Sequence, residues 1–391
     1  MGTVDAARGK SFKSYASLVA VSLVILAGTA IPAHAAPGAT MGFAITWFQP
    51  ALHYGDGDCP EGVNDEQDWK AVFRKEGRSP AEIANLLSHP VSPEFADAEL
   101  HRGPHGENVC ADPASAPDPS WKTAKSPVSF GMNLDGTADG AATANSCKHD
   151  KFTGVDGTQG VDNQLYRVLG CSKGHRGQGH AGFITNYLNE RMREGMVTYV
   201  IEVTGVRDPR NDDDVQVGIY QGVDPLKQNA AGGVQSDTTI RISADPRWHN
   251  LVHGKIKDGV LTTDAFDVNL PSDPIWIPGF AFKRAHLRLE LQPDGSAKGM
   301  LAGYHEWFPI YWGLAKTGPQ YEKFSGGNCP AIYSAFQRMA DGDPDPKSGQ
   351  CQSISVAYGV EAVPAFLVHP KDAKANRTAG TSAPITTAEN R

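Results

Sequence analysis

The chain has 391 residues, with 36 Lys and Arg against 44 Asp and Glu, a net charge of −8, 40% hydrophobic residues, 42 Gly and 27 Pro. That apolar fraction excludes a disordered protein, and a single long apolar run excludes one that crosses a membrane repeatedly. An acidic surface repels phosphate backbones, so nucleic acid is not an expected partner.

The first element is an export signal. Arg8, Lys10 and Lys13 precede the apolar stretch Ala16–Ala30, and Ile31-Pro32-Ala33-His34-Ala35 ends in the small-x-small pattern of a cleavage site. Residues 1–35 are therefore expected to be a secretory signal, leaving no membrane span and a secreted or periplasmic protein. All six cysteines (Cys59, Cys110, Cys147, Cys171, Cys329 and Cys351) follow it. An even number in an oxidising compartment predicts up to three disulfides. Proximity along the chain favours Cys59–Cys110, Cys147–Cys171 and Cys329–Cys351, although sequence alone does not fix the pairing.

Residues 36–128 form an N-terminal region with two helix signals. Trp69, Val72 and Phe73 share a face after Asn64 and before Gly77, while Ser79-Pro80-Ala81-Glu82 is a capping box with Pro in the first turn. Pro113, Pro117, Pro119 and Pro127 then mark a linker or extended arm. Residues 129–306 are expected to hold the main domain. It opens with a Gly/Asp-rich stretch, in which Asp162 starts a short helix ending at Gly170, and a second helix covers about 185–194. From Gly195 the period changes to 2. Val197–Val203, Val215–Tyr220, Thr238–Ile242 and His286–Gln292 alternate, and Pro293-Asp294-Gly295-Ser296 turns the last of these into a partner at Met300–Tyr304. Strands without intervening helices predict a mainly β fold, an antiparallel β-sandwich of lectin-like or laminin-G-like jelly-roll type with helical N- and C-terminal additions. Residues 307–368 add a helix from Cys329 and an extended segment from Cys351 to Val368. Residues 369–391 lack apolar periodicity and read as a disordered tail.

Oxygen ligands are dense in the Gly/Asp-rich stretch. Asn133, Asp135, Asp139, Asp156, Asp162 and Asn163 are candidate calcium ligands, since that ion takes six to eight oxygens from flexible loops. The EF-hand pattern is not met, because Ala138 stands where Gly is required. Turn chemistry explains the same residues, as it does Asp56-Gly57-Asp58 and Asp341-Gly342-Asp343-Pro344-Asp345. His175 and His180 share a Gly-rich loop that could hold a transition metal. His305-Glu306 begins like a zincin helix, but lacks the second His and is followed by Pro309. Trp307, Phe308, Tyr311, Trp312 and Tyr321 could stack on sugar faces, though such clusters more often pack against a sheet.

Gly160-Val161-Asp162-Asn163-Gln164-Leu165-Tyr166-Arg167-Val168-Leu169-Gly170-Cys171 is the most singular segment. Together with the run from Asp208 to Val215, it resembles uncharacterised exported bacterial proteins carrying Gly-Val/Ile-Asp-Asn-Gln-Leu followed by Arg and Gly-Cys. The resemblance would span residues 45–368, and it implies export and a shared sandwich-type domain; it transfers no catalytic residue.

No nucleophile elbow, Walker loop or metalloprotease helix occurs, no Gly-x-Gly-x-x-Gly follows a strand, and nothing signals haem, nucleotide or flavin. The expected function is a noncatalytic binding or structural module, calcium-stabilised, for carbohydrate or another envelope component such as a protein. One alternative is a secreted hydrolase of polysaccharide or ester, with Glu202 and Glu290 as its catalytic carboxylates on the polar faces of strands. A second is an accessory subunit of an exported redox complex.

Overall fold

A computed structural model describes residues 38–65, 67–100, 108–176, 183–273, 277, 279–325 and 329–370. The expected export signal and, of the expected C-terminal tail, residues 371–391 lie outside the described residues. From Gly38 onward the chain forms one compact unit.

Strand β1 (Ala39–Pro50) is followed by helices α1 (Trp69–Lys75), α2 (Pro80–Ser88) and α3 (Pro93–Leu100). Two short strands, β2 (Val128–Ser129) and β3 (Thr153–Gly154), bracket the acid-rich segment, and helices α4 (Gln164–Leu169) and α5 (Phe183–Arg193) follow. Next come β4 (Thr198–Val206), β5 (Asp212–Gly222), β6 (Thr238–Arg241), β7 (His249–Lys257), β8 (Val260–Thr263), β9 (Phe266–Pro271), β10 (Gly279–Leu291) and β11 (Ala297–Glu306). Helices α6 (Trp307–Ala315), α7 (Pro319–Ser325) and α8 (Cys329–Met339) lead into β12 (Gly342–Pro344) and β13 (Cys351–Val368).

The expected sandwich is incorrect. Strands β1, β4, β5, β7, β8, β10, β11 and β13 pair in that order, and β13 pairs back onto β1, which closes an antiparallel barrel of eight strands. Alternation of apolar and polar residues looks the same in either architecture. What separates them is this closing pair, which joins residues about 315 positions apart. Closure also removes the exposed edges that a sandwich must protect.

Eight strands leave an interior just wide enough for side chains to fill. Here Phe48, Tyr199, Phe280, Phe282 and Tyr358 fill it. Phe48 stacks on Tyr358 with centroids 4.8 Å apart and meets Phe280 edge-on at 5.5 Å. Leu165, Leu188, Ile310 and Leu314, from α4, α5 and α6, meet this cluster around a cavity of about 100 Å³. In β1 the register slips between Ile45 and Trp47, and the freed Phe48 amide donates instead to Asn189 Oδ1 of α5 at 2.8 Å. A second slip, at Lys283–His286 of β10, coincides with Arg284 in the left-handed region at φ 48°.

The local helix signals behave as their chemistry dictates. Ser79 and Glu82 form the reciprocal capping box of α2. Asp68 caps α1, accepting from the Ala71 amide. Asn163, not Asp162, caps α4.

Disulfides join Cys59–Cys171, Cys110–Cys329 and Cys147–Cys351. None of the three pairings favoured by proximity occurs. Each bond instead ties a segment outside the barrel to a distant one, with sequence separations of 112, 219 and 204. Three such bonds are consistent with an exported protein. Among the described residues, no helix is long and apolar enough to cross a membrane.

Candidate functional site

The first half of β13 is buried on both faces, because the acid-rich segment, α4 and α8 cover its outer side. Under that cover lies a polar network. Lys151 Nζ donates to Asp135 Oδ1 at 2.6 Å and to Asp162 Oδ1 at 2.5 Å. His149 donates from Nδ1 to the Cys147 carbonyl at 2.8 Å and from Nε2 to Asp162 Oδ1 at 2.7 Å, so the ring carries both protons. Burial opposes that charge, but Asp162 and the nearby Asp341 hold the His149 pKa up at about 8. Asp341 is fully buried, which raises its own pKa, and it accepts from the Ser355 amide at 2.6 Å.

Of the six expected calcium ligands, only Asp135 and Asp162 converge, and they converge on an ammonium group. His149 joins them in a set whose ligand atoms lie within 4.8 Å of one another. The others are engaged elsewhere, all but Asn163 within their own turns. Asn133 accepts from Gly136 N and donates to the Thr137 carbonyl. Asp139 accepts from Ala141 N, and Asp156 from Thr158 N. Asn163 caps α4 and donates to the Ala51 and Phe130 carbonyls.

Glu202 and Glu290 take separate roles. Glu202 is 7% exposed and paired with His369 Nε2 at 2.9 Å, whereas Glu290 pairs with Arg288 at 3.0 Å. They share no partner among the described residues. His175 is buried against Ser172 Oγ, and burial lowers its pKa to about 4; His180 lies outside the described residues. In the aromatic cluster Trp307 and Tyr311 are buried, while Phe308 and Trp312 are 47% and 39% exposed.

Where the cover over β13 ends, a groove of about 460 Å³ opens on the outer face of the barrel. Its floor follows from strand register. One row across β10, β11, β13 and β1 reads Glu290, Lys298, Glu361 and Trp47; the next reads Arg288, Met300, Gly359 and Gln49. Lys298 Nζ lies 3.7 Å from Glu361 Oε1. Gly359 interrupts the second row. A Cβ built there would meet nothing nearer than the Gln49 carbonyl oxygen at 3.9 Å, so the missing side chain is what keeps the groove open. Glycine inside a strand often marks a close approach by another group.

One wall consists of Tyr54, Phe130, Val155 and Asp156. Hydrogen bonds from Thr158 hold the Asp156 carboxyl below its usual range, and the charge of Arg288 adds to this. The groove thus places donors (Arg288, Lys298, Gln49) beside acceptors (Glu290, Glu361, Asp156) over an apolar strip of Trp47 and Met300. Trp47 is only 5% exposed, so it serves as floor and not as a free stacking platform. Each Glu of the row is engaged with a cation, an arrangement suited to holding hydroxyl groups.

The structure therefore brings Asp156 and Glu290 to one groove. The residues that shape it, Gly359, Met300 and Lys298, carry no motif; only alternation extended across four strands in register would have found them. Compared with known protein families, curated proteins and solved structures, the chain matches none.

Proposed function

We propose that this protein is an exported noncatalytic binding module that holds a neutral carbohydrate chain in the groove over Gly359. The supporting observation is the open Gly359 position in a ladder of paired charges. Arg288, Glu290, Lys298 and Glu361 offer donors and acceptors in fixed alternation, and their opposite signs nearly cancel, which favours hydroxyls over ions. Met300 and the half-buried Tyr54 and Phe130, above a floor of Trp47, supply apolar surface for the C–H faces of sugar rings. The volume lies within the usual range for small-ligand sites.

Affinity electrophoresis against a panel of neutral soluble polysaccharides tests this. Retardation by at least one, lost in Gly359→Trp with the melting midpoint preserved, is the expected outcome. Unaltered mobility across the panel, or retardation that persists in Gly359→Trp, would sink it.

A further inference from the structure

A second concavity, of about 530 Å³, is walled by the 123–125 and 148–150 segments, α4 and the C-terminal end of α8. Its charge runs against that of the whole protein. Lys125, Lys148, Arg167 and Arg338 line it together with the doubly protonated His149, and Asp150 is the one carboxylate among the lining residues. Arg338 is paired with Asp118. Lys125 and Lys148 are exposed and have no ion-pair partner among the described residues.

Arg167 is the informative member. Its guanidinium lies over the Phe152 ring at 4.1 Å, and Nη1 donates to the Ala124 and Ser126 carbonyls at 3.1 and 2.9 Å. No carboxylate lies within ion-pair distance among the described residues, although the side chain is half-buried. Burial accordingly lowers its pKa, with Asp150 opposing. A desolvated cation held only by neutral carbonyls retains attraction for an incoming anion, and its remaining N–H groups suit a fork-shaped contact with an oxyanion. The walls are fixed in advance. Lys148 follows the Cys147–Cys351 disulfide, Ala124 N donates to the Arg167 carbonyl at 2.9 Å, and Lys125 N donates to the Asp58 carbonyl at 2.8 Å.

We infer that this pocket binds a doubly charged oxyanion of the phosphoryl class carried on a larger polar body, with Arg167 at its base and Lys125 and Lys148 at its rim. Several cations around one space favour a dianion over a single carboxylate, and the space exceeds what a bare phosphate fills. The site is independent of the groove over Gly359.

Calorimetric titration at low salt, with inorganic phosphate and with glycerol 3-phosphate as probes and chloride as control, tests it on the whole protein. Both probes should bind, glycerol 3-phosphate the more tightly, and affinity should fall as salt rises. The double variant Lys125→Ala/Lys148→Ala, whose exposed side chains do not support the fold, should weaken binding about tenfold or more at an unchanged melting midpoint. Gly359→Trp should leave it intact. Absence of heat with either probe, or unchanged affinity in the double variant, would overturn the site. Equal affinity for the two probes would overturn the larger body.

Discussion

Asp162 accepts hydrogen bonds from both His149 Nε2 and Lys151 Nζ on a single carboxylate oxygen, Oδ1, at 2.7 and 2.5 Å. Its other oxygen accepts from the Leu134 amide at 2.8 Å. The carboxylate is fully buried, so its charge is tolerable only because two cations and an amide surround it.

Lys151→Met should therefore destabilise the protein by about 3–5 kcal/mol, because it strands Asp135 and Asp162 without their shared cation. Chemical denaturation measures the loss. With Lys151 present, calcium or a chelator should move the melting midpoint by less than about 1 °C, since the ammonium occupies the point where the two carboxylates meet. A larger calcium shift would show that the ion finds other ligands.

Stability should decline from about pH 5 to pH 8. His149 rises from 6.5 to about 8 on folding, held up by Asp162 and Asp341 against its burial, and burial raises Glu322 from 4.5 to about 7. A group whose pKa is higher in the folded state contributes stability that is complete below the unfolded value and is lost as pH climbs through the folded one. His149 alone accounts for roughly 2 kcal/mol across its window. Glu322→Gln should make the lower part of the profile shallower, the raised Asp341 keeping some slope there, and should leave the His149 part. The lowered carboxylates Asp58, Asp135 and Asp343 act separately, withdrawing stability only as pH falls below about 4.

Two strand glycines should respond in opposite ways to a methyl group. Gly359→Ala has open space and no left-handed backbone, so it should be neutral or stabilising by up to about 1 kcal/mol. Gly299→Ala would place Cβ 1.9 Å from the Arg288 carbonyl oxygen and should be strongly destabilising. Paired thermal melts would show the contrast, and a stable Gly299→Ala would contradict the packing of β11 on β10.

Peptide mapping without reduction should recover Cys59–Cys171, Cys110–Cys329 and Cys147–Cys351. Removing the last as Cys147→Ser/Cys351→Ser should cost about 5 kcal/mol on chain-entropy grounds, given the 204-residue separation. A loss below about 1 kcal/mol would mean that the acid-rich segment is held by its hydrogen bonds alone.

Local chemistry made several elements legible from sequence. The Ser79–Glu82 box gave α2, the alternating run ending at Pro293-Asp294-Gly295-Ser296 gave the β10–β11 hairpin, and Cys351–Val368 is β13 over its whole length. Strand β1 was missed, as were β7, β8 and β9. Long-range pairing was not legible either. Barrel or sandwich, and which cysteine meets which, turn on contacts between residues hundreds of positions apart, which carry no local signature. The same applies to the candidate sites. Asp156 and Glu290 stood out by type, but their meeting at one groove depends on the register of four strands and on a gap at Gly359.

The pairing of β1 with β13 has a consequence for biogenesis. A chain synthesised from its N-terminal end delivers β1 long before its partner strand, so the first barrel strand must wait, one edge unpaired and prone to mispairing, until the last has emerged. Cys351 arrives in the same late stretch. Maturation would thus be limited by exit of the final strand, and folding helpers that shield exposed β edges would matter most during that interval.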